Sequence, residues 1–199
     1  RPYCVGLLVV TPYYSRPTQE GLRAHFTAVA DATELPVMLY DIPGRSGVAI
    51  QTDTMLALAE HPRIVANKDA KGDIFATQQV MHRSDLAVYS GDDALNLPLL
   101  AVGAVGVVSV TGHVIADRLR AMVASAAAGD LLTARSVSAT TVPVTEGIMG
   151  RGPGVVMVKA ALDLLGAPGG GEVRLPLVRA TETERAALRD DLRAGGFDL

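Results

Sequence analysis

Arg63-Ile64-Val65-Ala66-Asn67-Lys68-Asp69-Ala70 is a short apolar run that ends on a lysine. The apolar residues Ile64 to Ala66, followed by charge and then by Lys71-Gly72-Asp73, read as a buried parallel strand stopping at a polar loop. Lys68 then stands at the carboxyl end of the strand. Over a largely apolar floor, desolvation disfavours the ammonium form and lowers the lysine pKa, so a fraction of free amine exists at neutral pH. Such an amine attacks carbonyls and forms Schiff bases. A plain strand-end charge reaching into solvent fits this stretch equally well, so the flanking chain has to decide.

Outward from this stretch the chain repeats one unit: an apolar run, a polar or glycine-bearing loop, then an amphipathic segment. Cys4 to Val10 is the first run, ending in Thr11-Pro12-Tyr13-Tyr14, and Thr18 opens a helix with Leu22, Phe26 and Val29 on one side. Val37 to Tyr40 is the second, ending in Asp41-Ile42-Pro43-Gly44-Arg45-Ser46-Gly47, after which Thr52-Asp53 is expected to cap a helix through Met55 and Leu58. After the strand to Lys68 comes a helix from about Asp73 to His82. Leu86 to Ser90 is the fourth run, ending in Gly91-Asp92-Asp93 before a helical Ala94 to Val102, and Gly106 to Val110 is the fifth, ending in Thr111-Gly112-His113. A helix from about Ile115 to Ala128 closes the alternation.

Apolar strands alternating with helices predict right-handed βαβ units and a parallel sheet. No Gly-x-Gly-x-x-Gly turn follows the first strand, so a dinucleotide-binding fold has no support. The strands deliver chemistry at their carboxyl ends, as the active sites of barrel enzymes do. Beyond Gly129 the pattern is helical: Leu131 to Ile148, Gly154 to Leu165 and, after the loop Ala167 to Gly171, Thr181 to Ala194. Glu184 follows a Thr181 cap in the capping-box pattern. The expected division is residues 1–129 as a partial barrel and 130–199 as a helical extension.

Composition agrees with a folded domain and excludes disorder as the main state. With 199 residues, 49% of them hydrophobic and 20% charged, the chain can bury a full core. A net charge of -3 without a basic block gives no footprint for nucleic acid. No apolar run is long enough to span a bilayer and the amino end lacks a signal-peptide pattern, so a soluble cytoplasmic protein is expected. The single cysteine, Cys4, has no partner for a disulfide or a metal site and is expected to be a buried strand residue.

The motifs Thr11-Pro12-Tyr13-Tyr14, Tyr40 to Gly47, Lys68-Asp69-Ala70, Ser90 to Asp93 and Gly106 to Val110, in this order, resemble those of the dihydrodipicolinate synthase family within the N-acetylneuraminate lyase superfamily. The resemblance implies an incomplete (β/α)8 TIM barrel, its five parallel strands equivalent to strands 4–8, followed by a three-helix extension. It also implies a lyase-class Schiff-base condensation of pyruvate with L-aspartate 4-semialdehyde to 4-hydroxytetrahydrodipicolinate, on the route to diaminopimelate and lysine. No metal and no cofactor is implied beyond the covalent imine.

Residue by residue, the resemblance makes Lys68 the Schiff-base lysine, whose iminium draws electrons from the pyruvate methyl. Tyr40 is matched to the tyrosine that shuttles the proton. Tyr14 is matched to a tyrosine inserted from one subunit into its neighbour's site, which implies a homodimer or homotetramer. Arg45 is matched to the arginine that receives the semialdehyde carboxylate, a role suited to a fork of fixed donors. Gly91 and Val108 are matched to positions lining the pyruvate pocket. Taken alone, Tyr40 and Val108 read as core residues, Arg45 as an exposed turn arginine and the Tyr13-Tyr14 pair as a packed loop.

Two departures accompany the resemblance. Asn67 stands where the family has an aliphatic residue, on the strand face opposite Lys68, so its amide is expected among apolar helix contacts. The family barrel needs eight strands in about 250 residues, and the chain offers five runs without the family's Gly-Thr-Thr-Gly loop, which holds the pyruvate carboxylate. The expectation is therefore a fragment, inactive by itself, with an open flank exposing Leu7, Val9, Val107 and Val110. Two other readings compete. One is another pyruvate-dependent aldolase, an N-acetylneuraminate or keto-deoxy sugar acid lyase, against which Arg45 argues because those sites leave room for polyhydroxylated chains. The other is a non-catalytic chain that associates with an intact synthase.

Overall fold

The computed structural model describes residues 4–168 and 170–199; Gly169, in the expected glycine-bearing loop, lies outside the described residues. Five strands, β1 (Leu7–Val10), β2 (Val37–Asp41), β3 (Ile64–Asp69), β4 (Ala87–Ser90) and β5 (Gly106–Val107), form one parallel sheet in the order β1-β2-β3-β4-β5. Between them run α1 (Gln19–Asp31), the short α2 (Pro43–Ser46), α3 (Thr52–Ala59), α4 (Ile74–Arg83) and α5 (Asn96–Ala101). Sequential order with every pair parallel is the arrangement of consecutive βα units in a barrel wall.

Each unit follows from its sequence. Thr18 caps α1 by accepting a hydrogen bond from the Gly21 N–H at 3.2 Å, and Leu22, Phe26 and Ala30 face the sheet fully buried. Asp73 caps α4 in the same way, accepting from Ala76. Val37 and Leu39 of β2, Ile64 of β3, Met55 and Leu58 of α3 and Val80 of α4 join them in one apolar core between the helices and one sheet face.

Several expectations are corrected. Thr52-Asp53 is not the cap of α3: Thr52 is already helical and Gln51 is the cap residue, its N–H donating to the Gln19 side chain. Cys4 is exposed and lies outside the first strand. That strand begins at Leu7, because its partner β2 begins at Val37 behind Pro36 and earlier residues have no ladder to join. The fifth strand stops at Val107, since β4 ends at Ser90 and offers no further partners. Leu7 and Val9 pack against the helix-side core; the exposed apolar residues of β1 are Leu8 and Val10, 50% and 37% accessible, on the other face. The outward face of β1 is thus one residue out of step with the expected one, and a one-residue slip exchanges the two faces.

The chain forms two compact units, residues 1–107 and 108–199. The second holds α6 (Gly112–Ala127), α7 (Leu131–Thr145), α8 (Gly154–Leu164) and α9 (Glu182–Ala194). The boundary between these compact units falls at Val107/Val108, and α6, although it follows a strand, packs on α7. Pro143 lies within α7, and the helix ends at Thr145 in a wider π turn over Glu146–Gly150, short of the expected Ile148. At α9 the capping box is complete: Thr181 Oγ1 accepts from the Glu184 N–H at 3.2 Å and Glu184 Oε2 accepts from the Thr181 N–H at 2.7 Å. Among the described residues no helix is long and apolar enough to cross a membrane.

Candidate active site

Sheet register brings the chemistry together. Val10, Tyr40, Lys68, Tyr89 and Gly106 are successive partners across β1 to β5, so they form one row on the sheet face away from the helices. The row beneath it, Leu8, Met38, Ala66 and Ala87, is the apolar floor expected for Lys68. On the opposite face the equivalent row is Leu39, Asn67 and Val88, which are almost completely buried. Asn67 is 2% exposed with no hydrogen-bond partner for Oδ1.

Lys68 is half-buried, and its Nζ lies 3.9 Å from the centroid of the Tyr40 ring. Burial pulls its pKa below the ordinary lysine value; Asp93 opposes this and the Arg45 guanidinium reinforces it. The Tyr40 phenol is pushed up, first by burial, with Arg45 lowering it and Asp92 raising it. Tyr40 is therefore held as a neutral phenol at neutral pH, able to donate a proton. Its backbone is fixed by the fully buried Thr11, whose N–H and hydroxyl both donate to the Tyr40 carbonyl at 3.0 Å.

Gly91 makes room for the lysine. A Cβ built there would fall 2.7 Å from Lys68 Cγ and 2.8 Å from Cε, so a larger residue would have to displace the lysine side chain over which the β4 loop closes. The Gly91 N–H donates to the Asp69 carbonyl at 2.7 Å, which ties the loop to β3.

Arg45 lies exposed in α2, a single turn that Pro43 opens and Gly47, at φ +80°, closes. Tyr14, Tyr40 and Arg45 line one open cleft of about 420 Å³, together with Tyr13 and Ile42. Tyr14 is 97% exposed at φ +68°, an uncommon backbone conformation for a tyrosine. Lys68, Tyr40, Gly91 and Arg45 are thus grouped at the carboxyl ends of β2 to β4, with Tyr14 beyond β1. Val108 is the first residue of the second unit and is half-buried there.

Four further residues contribute to the surroundings of the site. Asp93, next to Gly91-Asp92, is the carboxylate that acts on Lys68; Tyr89 lies one strand over in the same row; Asp41 and Lys71 pair behind the site at 3.4 Å. Only the acidic pair after a strand end was a visible signal for the first. Among the described residues no group of His, Cys, Asp and Glu could hold a metal ion.

The dihydrodipicolinate synthetase family model matches residues 4–195. The 4-hydroxy-tetrahydrodipicolinate synthase of Kineococcus radiotolerans is 60% identical over 192 residues, 96% of this chain and 62% of the relative. Synthase 2 of Streptomyces coelicolor is 59% identical over 194 residues, 98% of this chain and 64% of the relative. The chain thus spans somewhat less than two thirds of the length of these curated relatives. Among solved structures, the Bacillus anthracis dihydrodipicolinate synthase DapA-2 superposes with a TM-score of 0.90 at 44% identity, covering 96% of this chain and 65% of that one. The chloride-inhibited Acinetobacter baumannii enzyme, solved in complex with pyruvate, gives 0.92 at 38% identity, covering 98% and 67%. Matched from residue 4 to residue 195 and carrying the strand-end lysine, tyrosine and arginine on a parallel βα sheet, the chain belongs to the dihydrodipicolinate synthetase family.

Proposed function

We propose that Lys68 captures pyruvate as a Schiff base, and that the site serves the condensation of that imine with L-aspartate 4-semialdehyde to 4-hydroxytetrahydrodipicolinate. The observation that carries this reading is the half-buried Lys68, its pKa lowered by burial, facing the Tyr40 ring at 3.9 Å. Its free amine attacks the pyruvate ketone, and loss of water leaves an iminium. That cation withdraws electrons from the methyl carbon, which loses a proton and then bonds to the aldehyde carbon of the second substrate, whose amino group then attacks the imine carbon, closes the ring and releases the Lys68 amine. Tyr40, a neutral phenol, relays protons at the carbinolamine and the new alkoxide. Arg45, at the mouth of the cleft, supplies the fork of donors for the semialdehyde carboxylate.

The exposed Tyr14 fits a role across a subunit contact, and we propose a homodimer or homotetramer as the working form. Gly91 is proposed to line the pyruvate pocket, and the protein is proposed to work in the cytoplasm. Incubation with pyruvate and borohydride, followed by peptide mapping, tests the first step. An adduct on Lys68 supports it; an adduct on Lys71 with Lys68 unmodified overturns it.

A further inference from the structure

Behind the row that carries Tyr40 and Lys68, on the helix side of the sheet, lies a second polar cluster that the proposed chemistry does not use. Asp41 ends β2 and Asp69 ends β3; they are partners in the ladder and are 0% and 2% exposed. Two adjacent buried carboxylates repel each other and require compensation. Asp69 has it in neutral donors: its Oδ2 accepts from the buried Thr77 hydroxyl at 2.7 Å and its Oδ1 from the Lys71 N–H at 3.1 Å. Asp41 Oδ1 accepts from the Ile50 N–H at 3.0 Å, while Oδ2 has no hydrogen bond and faces the Lys71 ammonium at 3.4 Å. The Lys71 side chain is only 11% exposed, so water does little of the screening.

The position of this pair gives it a role. Residues 42 to 49 form the loop that carries Arg45, and Asp41 grips both ends of it: the loop leaves from its own backbone and returns at Ile50, whose N–H it holds. Within the loop Ser46 Oγ bonds the Ile42 and Val48 carbonyls, each at 2.9 Å, so movement at Ile50 is transmitted to the turn bearing Arg45. From the other side, the Ala70 N–H donates to the Asp41 carbonyl at 2.9 Å, and Gly72 at φ +83° turns the chain away so that Lys71 can reach back. Burial raises the Asp41 pKa, with the Ile50 N–H and Lys71 both opposing the rise.

We infer that Lys71 is a positioning residue: its ion pair with Asp41 latches the loop 42–50 to the end of β3, and so holds Arg45 in register with Lys68. This rests on the proposed function for Arg45 and Lys68, but the latch has its own readout.

Amide hydrogen exchange on the full 199-residue chain measures it. In Lys71→Met, the uncompensated carboxylate should release Ile50, and exchange across 42–50 should rise by about tenfold or more. Lys71→Arg, which keeps the charge, should stay near the parent rate. Asp41→Asn with Lys71→Met removes both charges, keeps an acceptor for Ile50, and should restore protection. If Lys71→Met fails to fold, a folded and protected double variant supports the charge pair in the same way. Unchanged exchange in Lys71→Met overturns the inference, as does a double variant no better protected than the single one. Borohydride trapping of pyruvate on Lys68 is followed in parallel. Absence of the adduct from the parent chain would count against the functional reading and leave the exchange comparison standing. Retention of the adduct in Lys71→Met is expected, because β3 holds Lys68 independently of the loop. Loss of the adduct with the loop still protected would mean that Lys71 acts on Lys68 directly, and overturns the latch.

Discussion

Lys71 Nζ faces a buried carboxylate at 3.4 Å and Lys159 Nζ donates to the Glu172 carbonyl at 2.6 Å, whereas Lys68 Nζ meets the face of the Tyr40 ring at 3.9 Å. The chain has no further lysine, so carbonyl chemistry has one candidate amine. Its lowered pKa fixes the sign of the pH dependence. Free amine grows as pH rises through the folded pKa, so the initial rate of pyruvate trapping should climb with a midpoint below the 10.5 of an ordinary lysine. Arg45 contributes to that lowering, so Arg45→Ala should move the midpoint to higher pH. Imine formation should survive in that variant, while use of the semialdehyde falls by one to two orders of magnitude, the scale of a lost charge-assisted contact. Equal loss in both half-reactions would contradict the assignment of Arg45. The strand end, the lysine and its apolar floor were legible in the run Arg63 to Ala70. The close approach of Gly91 to Lys68 was not, because it depends on where a lysine from one strand meets the loop of the next.

At the scale of the elements, the βα alternation could be read because each helix and strand carries its own periodicity. Strand limits could not, since they are set by partners: β1 starts where β2 can pair with it and β5 ends where β4 runs out. The face of Asn67 was foreseen from its distance to Lys68, and the structure places it between Leu39 and Val88 with Oδ1 unpartnered. Replacing it by leucine removes an unsatisfied acceptor from an apolar row and should stabilise the fold by about 1 kcal/mol, the lower end of the cost of such a group. Urea denaturation of Asn67→Leu reads this; a lower midpoint would show that the amide has a use the apolar row does not reveal.

At the scale of the molecule, the resemblance reached the family from five motifs, and the matched residues 4–195 agree with it. The compact units were harder to read: α6 looks like the helix of a fifth βα unit in sequence, and only its packing on α7 assigns it to the second unit. On the first unit, β1 and β5 are sheet edges, and Leu8 and Val10 expose apolar surface on the face that bears Lys68. At about 25 cal/mol per Å², such a face drives association, so the chain should self-associate with concentration, and Leu8→Lys should reduce this in sedimentation velocity.

The location of the carbonyl adduct decides whether Lys68 is the amine that captures pyruvate. The chain is incubated with excess pyruvate near pH 8, reduced with borohydride, digested and mapped by mass spectrometry. A reduced pyruvyl group is expected on Lys68 and none on Lys71 or Lys159. A stable, folded chain that carries the group on Lys71 or Lys159 while Lys68 stays unmodified would contradict it.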